Sequence, residues 1–172
     1  MPVPTALVTG SPEWVPHVAV ALKSEGFDIV SAGEEAPLAP GSLDCYVQLP
    51  GDVPTTEGPA LTRARSVVAD DLLARVDVAT RLAPYLAPHA VVLLVGEEPL
   101  RVVLEMLAEA IVSEASGVQA KVVGGVRAPS EIAALARPNG HHRSWRSYLD
   151  EDPELGFADW RDEVICLTSS AG

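Results

Sequence analysis

Residues 6–30 read ALVTGSPEWVPHVAVALKSEGFDIV, and this stretch decides the fold. Ala6 to Val8 is a short apolar run that stops at Thr9-Gly10, as a buried strand entering a tight turn does. Val15, Val18, Ala19 and Leu22 then recur at i, i+3, i+4 and i+7, which is one face of a helix. Gly26 stands where a glycine ends a helix in the left-handed conformation. Phe27 to Val30 follows as a second strand. Strand, helix and strand in this order make a βαβ unit, whose two strands lie parallel in one sheet.

The same alternation continues downstream. Pro37, Pro40 and Gly41 mark a loop, and Cys45 to Val47 reads as a third strand closed by Leu49-Pro50-Gly51. A long helical pattern runs from about Thr62 to Leu86, with Val68, Leu72, Val76, Ala79, Ala83 and Leu86 as its stripe. Ala90 to Val95 is almost wholly apolar, as a parallel strand covered on both faces is. Pro99 opens a further helix with Leu100, Val103, Leu104, Leu107 and Ile111 on one side. Gln119 to Val123 is a fifth strand, Ser130 to Ala136 a short helix with Ser130 as N-cap, and Ala158 to Leu167 a last helix. Only about a dozen residues join the second strand to the third, too few for a helical crossover unit. The expected architecture is therefore α/β, Rossmann-like and three-layered, with a mainly parallel five-stranded sheet in the order 2-1-3-4-5. The topological switch point falls between strands one and three, at Gly10 and Gln48 to Gly51. Residues 1–136 make up this domain, and residues 137–172 form a C-terminal extension packed on it.

Composition narrows the function. The 172 residues fit one domain, and 48% of them are apolar, enough for a real core. The net charge of −12 argues against nucleic acid and anionic lipid as partners, since both require clustered Lys and Arg. No apolar run is long enough to span a bilayer. Met1-Pro2-Val3-Pro4-Thr5 lacks a basic segment ahead of an apolar one, so no secretory leader is expected. Cys45 and Cys166 stand alone without a CxxC pair, which suits a reducing cytoplasm. His141 and His142 are adjacent and have no neighbouring Cys or third His, so no metal site is expected; His17 and His89 read as structural.

In its order of elements the chain resembles the short-chain dehydrogenases/reductases. Ala6-Leu7-Val8-Thr9-Gly10, with the helix ending Ser24-Glu25-Gly26-Phe27-Asp28-Ile29-Val30, is similar to that family's opening. Asp44-Cys45-Tyr46-Val47-Gln48-Leu49-Pro50-Gly51 resembles its Asp-x-x-Val-Asn-Asn-Ala-Gly segment, and the later elements follow in the family's order to about Ala136. The resemblance implies a Thr-Gly-x-x-x-Gly-x-Gly loop for a dinucleotide pyrophosphate. Thr9 and Gly10 match it, but Trp14 and Pro16 stand at the second and third glycines. Trp14 brings an indole to that space, Pro16 has no N–H to donate and suits the first position of a helix, and Glu13 adds negative charge. Of the Asn-Asn-Ala-Gly stretch only Gly51 matches, and Gln48 takes the first asparagine position. Counting back from Glu114, the tyrosine and lysine of the family's Tyr-x-x-x-Lys pair fall at Glu97 and Arg101. Those two residues have the i, i+4 spacing of a helical ion pair. Asp71 stands near the family's helix-four asparagine.

The expectation is a non-catalytic protein of this type, with no catalytic residue, cofactor or metal. It would act through protein–protein contact, as a homo-oligomer or as the partner of another enzyme. The alternative is an enzyme or small-molecule binder that uses the cleft at the strand carboxyl ends without the usual nicotinamide site. In the resembling family two helices pack against their copies. Here the matching helices, 62–86 and 99–115, carry apolar residues off their main stripes: Val67, Leu73, Val78, Val102 and Met106. Trp145, Tyr148, Phe157 and Trp160 in the C-terminal extension also suit packing or partner binding. Because the cofactor loop is altered separately, the double substitution Glu97→Tyr with Arg101→Lys is expected to yield no reductase activity. Cofactor-dependent turnover by that variant in a spectrophotometric assay would contradict this reading.

Overall fold

The computed structural model describes residues 2–30, 38–51, 58–66, 72–96, 101–115, 117–124, 128–138 and 165–168. Its strands are β1 (Thr5–Thr9), β2 (Asp28–Val30), β3 (Leu43–Gln48), β4 (Leu86–Gly96), β5 (Gln119–Gly124) and β6 (Ile165–Thr168). Its helices are α1 (Val15–Ser24), α2 (Ala60–Ser66), α3 (Leu73–Leu82), α4 (Arg101–Glu114) and α5 (Pro129–Ala134). The strands form one sheet in the order β2-β1-β3-β4-β5-β6, and every neighbouring pair is parallel. The first five strands take the order expected from the short link between β2 and β3. This is a Rossmann-like α/β fold.

The central strands are buried on both faces. From Ala90 to Gly96 no residue of β4 is exposed, and β5 is buried along its whole length. One face of the sheet packs Leu7, Tyr46, Val92, Leu94 and Val122 against Ala79 of α3 and Leu104, Leu107, Ala108, Ile111 and Val112 of α4. The other packs Ala6, Val8, Val47, Leu93 and Val123 against Val18 and Leu22 of α1 and Ile132 and Ala133 of α5. The alternation of side chains along each strand feeds both cores.

Five sequence expectations change. The sheet has a sixth strand, because Ile165–Thr168, expected at the end of a helix, pairs with Ala120–Val123 of β5. A fully buried β5 has ladder groups on both edges to satisfy, and that demand outweighs local helical spacing. The helix expected over Thr62–Leu86 ends at Leu82; a 3₁₀ turn at Ala83–Tyr85, containing Pro84, leads into a strand that begins at Leu86 instead of Ala90. The longer strand contains a bulge: two residue steps on β3 match five on β4 between Leu43↔Leu86 and Cys45↔Val91, and exposed His89 sits there at φ 69°. The α3 stripe is also rotated. Arg75 and Ala79 face the sheet, and Val76 is exposed. At α5 the N-cap is Ala128, whose N–H donates to the Glu131 carboxylate at 3.1 Å, and Ser130 lies inside the first turn.

The end of α5 is anchored by a buried cation. Lys121 of β5 is only 1% exposed, and its Nζ donates to the carbonyls of Leu135 at 2.7 Å and Arg137 at 2.8 Å. These oxygens follow the last turn of the helix, where a positive charge is favoured. Arg137 in turn donates to the Glu25 carbonyl at 2.6 Å and lies 5.5 Å from the centre of the Phe27 ring. Lys121→Met keeps most of the stem's packing and removes the donors. It is expected to lower unfolding free energy by about 2–3 kcal/mol, the cost of leaving buried acceptors unmet. Urea denaturation measures this, and a loss below about 0.5 kcal/mol would show that the anchor is dispensable.

Candidate functional site

In open parallel sheets the crevice at the strand carboxyl ends, where the strand order reverses, is the place for a ligand. Here it lies between β1 and β3. The pairing of these strands does not stop at Thr9↔Gln48. Leu49 N–H donates to the Thr9 carbonyl at 2.8 Å, and Ser11 N–H to the Pro50 carbonyl at 2.9 Å, so the two loops are stitched together beyond the sheet. Gly10 makes this possible. Its φ is 131°, and a Cβ there would stand 2.7 Å from both the Cβ and the carbonyl oxygen of Leu49. Leu49 is buried against that turn.

The first turn of α1 satisfies its own donors. Buried Ser11 accepts the Glu13 N–H on its Oγ at 3.3 Å and the N–H groups of Trp14 and Val15 on its carbonyl, each at 3.1 Å. Pro12 and Pro16 have no N–H. Pro16 is the second helical residue, one place later than expected, because Ser11 already draws Val15 into the helix. Trp14 is the N-cap and is 45% exposed; Glu13 and Pro16 are exposed as well. An anion normally binds a helix N-terminus through free N–H groups. In α1 the N–H groups of residues 11 to 15 are bonded within the chain or absent.

On the α3 face of the sheet, below this turn, four polar side chains meet. Tyr46 and Gln48 alternate with Val47 and so point the same way. The Tyr46 and Thr9 hydroxyls share a hydrogen bond at 2.8 Å. Gln48 Nε2 donates to the Tyr46 hydroxyl at 3.0 Å and to the Arg75 carbonyl at 2.9 Å. Arg75 Nε donates to Gln48 Oε1 at 2.9 Å, and Nη2 donates to the carbonyls of Gln48 at 3.3 Å and Val95 at 2.5 Å. Arg75 thus joins α3 to the carboxyl ends of both β3 and β4. Gly96 lets the neighbouring side chains close over that end, since a Cβ there would lie 2.6 Å from Leu104 Cδ1 and 3.4 Å from Arg75 Nη1.

The cluster contains a phenol, an amide, a hydroxyl and a guanidinium. Burial pushes the Tyr46 phenol up from 10.0, against hydrogen bonds from Thr9 and Gln48 and the charges of Arg75 and Arg81. A phenol so raised stays protonated at neutral pH, so the basic phenolate form is not populated there. Cys45, on the opposite face, is pushed by burial to about 12, with Lys121 opposing the shift. Its thiol is therefore no nucleophile near pH 7.

Thr9, Gly10 and Gln48 are brought together as the sequence implies, and Gly51 follows in the β3 loop. Arg101 lies apart on α4, where its Nε donates to Glu105 Oε1 at 3.2 Å. Glu97, the partner expected for it, lies outside the described residues, as do Asp71, His141, His142, Trp145, Tyr148, Phe157 and Trp160. Arg75 and Tyr46 were not anticipated as members of the site. The available signal was a single cation in line with Leu72, Ala79 and Leu82, an apolar row at helical spacing. Among the described residues no three of His, Cys, Asp and Glu are placed to hold a metal ion. No helix among them is long and apolar enough to cross a membrane. Neither a protein-family model nor a curated protein matches the chain.

Calorimetric titration with NAD and NADP, oxidised and reduced, is expected to give no dissociation constant below about 100 μM, or about 5.5 kcal/mol of binding; tighter binding would mean that the first turn of α1 opens. Arg75→Met is expected to cost about 2–5 kcal/mol in chemical denaturation, since it leaves three buried acceptors without this donor. In a double-mutant cycle with Gln48→Leu the two sites should couple by more than about 1 kcal/mol. Simple additivity would mean that the Arg75–Gln48 bond contributes little.

Proposed function

We propose that this chain is a non-catalytic, short-chain-dehydrogenase-like protein of the cytoplasm. It acts through protein–protein contact, as a homo-oligomer or as the partner of another enzyme. The observation that carries this reading is the apolar surface left on the helices covering one face of the sheet. On α3, Leu73 is 58% exposed and Val76 is also exposed; on α4, Val102 and Met106 are 68% and 66% exposed. Val102 and Met106 are one turn apart, so they form a single strip. Helix α4 is thus apolar toward the sheet through Leu104, Leu107 and Ile111 and apolar again on its outer side. A helix apolar on two sides is usually buried on two sides. Val78, also off the expected stripe, is half-buried and packs against the core, so it adds nothing to this surface.

The closed turn at Gly10–Ser11 supports the non-catalytic part, because a dinucleotide would have to displace internal hydrogen bonds to be held there. Membership of the dehydrogenase-like group rests on Thr9-Gly10, Gly51 and the order of elements. A second reading, a small-molecule binder at the strand carboxyl ends, is favoured by one feature, the buried Gln48–Arg75 pair below that crevice.

A two-fold dimer is the simplest self-association to cover the strip. Size-exclusion chromatography with light scattering is expected to give twice the 18.1 kDa chain mass at micromolar concentration. Met106→Glu is expected to halve that mass while leaving the circular dichroism spectrum unchanged. A wild-type chain that runs as a monomer would overturn the homo-oligomer, and a Met106→Glu variant that stays dimeric would place the interface elsewhere.

A further inference from the structure

We draw no further inference here: the strongest candidate, the buried Thr9–Tyr46–Gln48–Arg75 cluster beneath the carboxyl ends of β1, β3 and β4, belongs to the site already described.

Discussion

A parallel strand buried on both faces must still find partners for the carbonyls at its carboxyl end, where the ladder runs out. Among the described residues, several of those oxygens near the switch point are met from within the chain. The Thr9 carbonyl takes the Leu49 N–H, and the Pro50 carbonyl takes the Ser11 N–H. The Gln48 and Val95 carbonyls take the Arg75 guanidinium. Each of these contacts also sets a neighbour in place: the β1 loop on the β3 loop, and α3 across β3 and β4. The path of the chain at the switch point is a consequence of that requirement.

The same closure bears on chemistry. A helix N-terminus binds a phosphate when its N–H groups are left over, and among residues 11 to 16 these groups are bonded within the chain or, at Pro12 and Pro16, absent. Tyr46 and Gln48 lie beneath the turn, with their polar atoms turned to Thr9 and Arg75. Buried polar groups arranged in this way hold a core in one arrangement, and each is costly to leave unmet. Four large apolar side chains remain outward: Leu73 and Val76 on α3, Val102 and Met106 on α4.

On the opposite face Lys121 performs the matching task. It crosses from β5 to the carbonyls at the end of α5, and Arg137 joins that end to the end of α1. Two long cations, each folded inward onto main-chain oxygens, hold one helix on each side of the sheet. Lys121 and Arg75 are both buried with their charged ends on carbonyls, a use to which Arg and Lys are suited by length.

The sequence by itself determined the class, the parallel sheet and the order of its first five strands. These rest on local periodicity and on the length of one connection, and both are written in consecutive residues. It also determined that Trp14 and Pro16 stand at the start of the first helix and that no Tyr-x-x-x-Lys pair is present. Tertiary structure alone decided the rest. It turned α3 so that Arg75 faces inward in place of Val76, because two strand-end carbonyls and Gln48 lie within reach of that guanidinium. It made Ile165–Thr168 a strand, because the edge of β5 required a partner. It put Ser11 at the head of α1, where its carbonyl and hydroxyl accept the first N–H groups of the helix. The first two depend on acceptors or donors supplied by residues far along the chain, and the third on cap geometry; hydrophobic spacing along one segment carries no record of either.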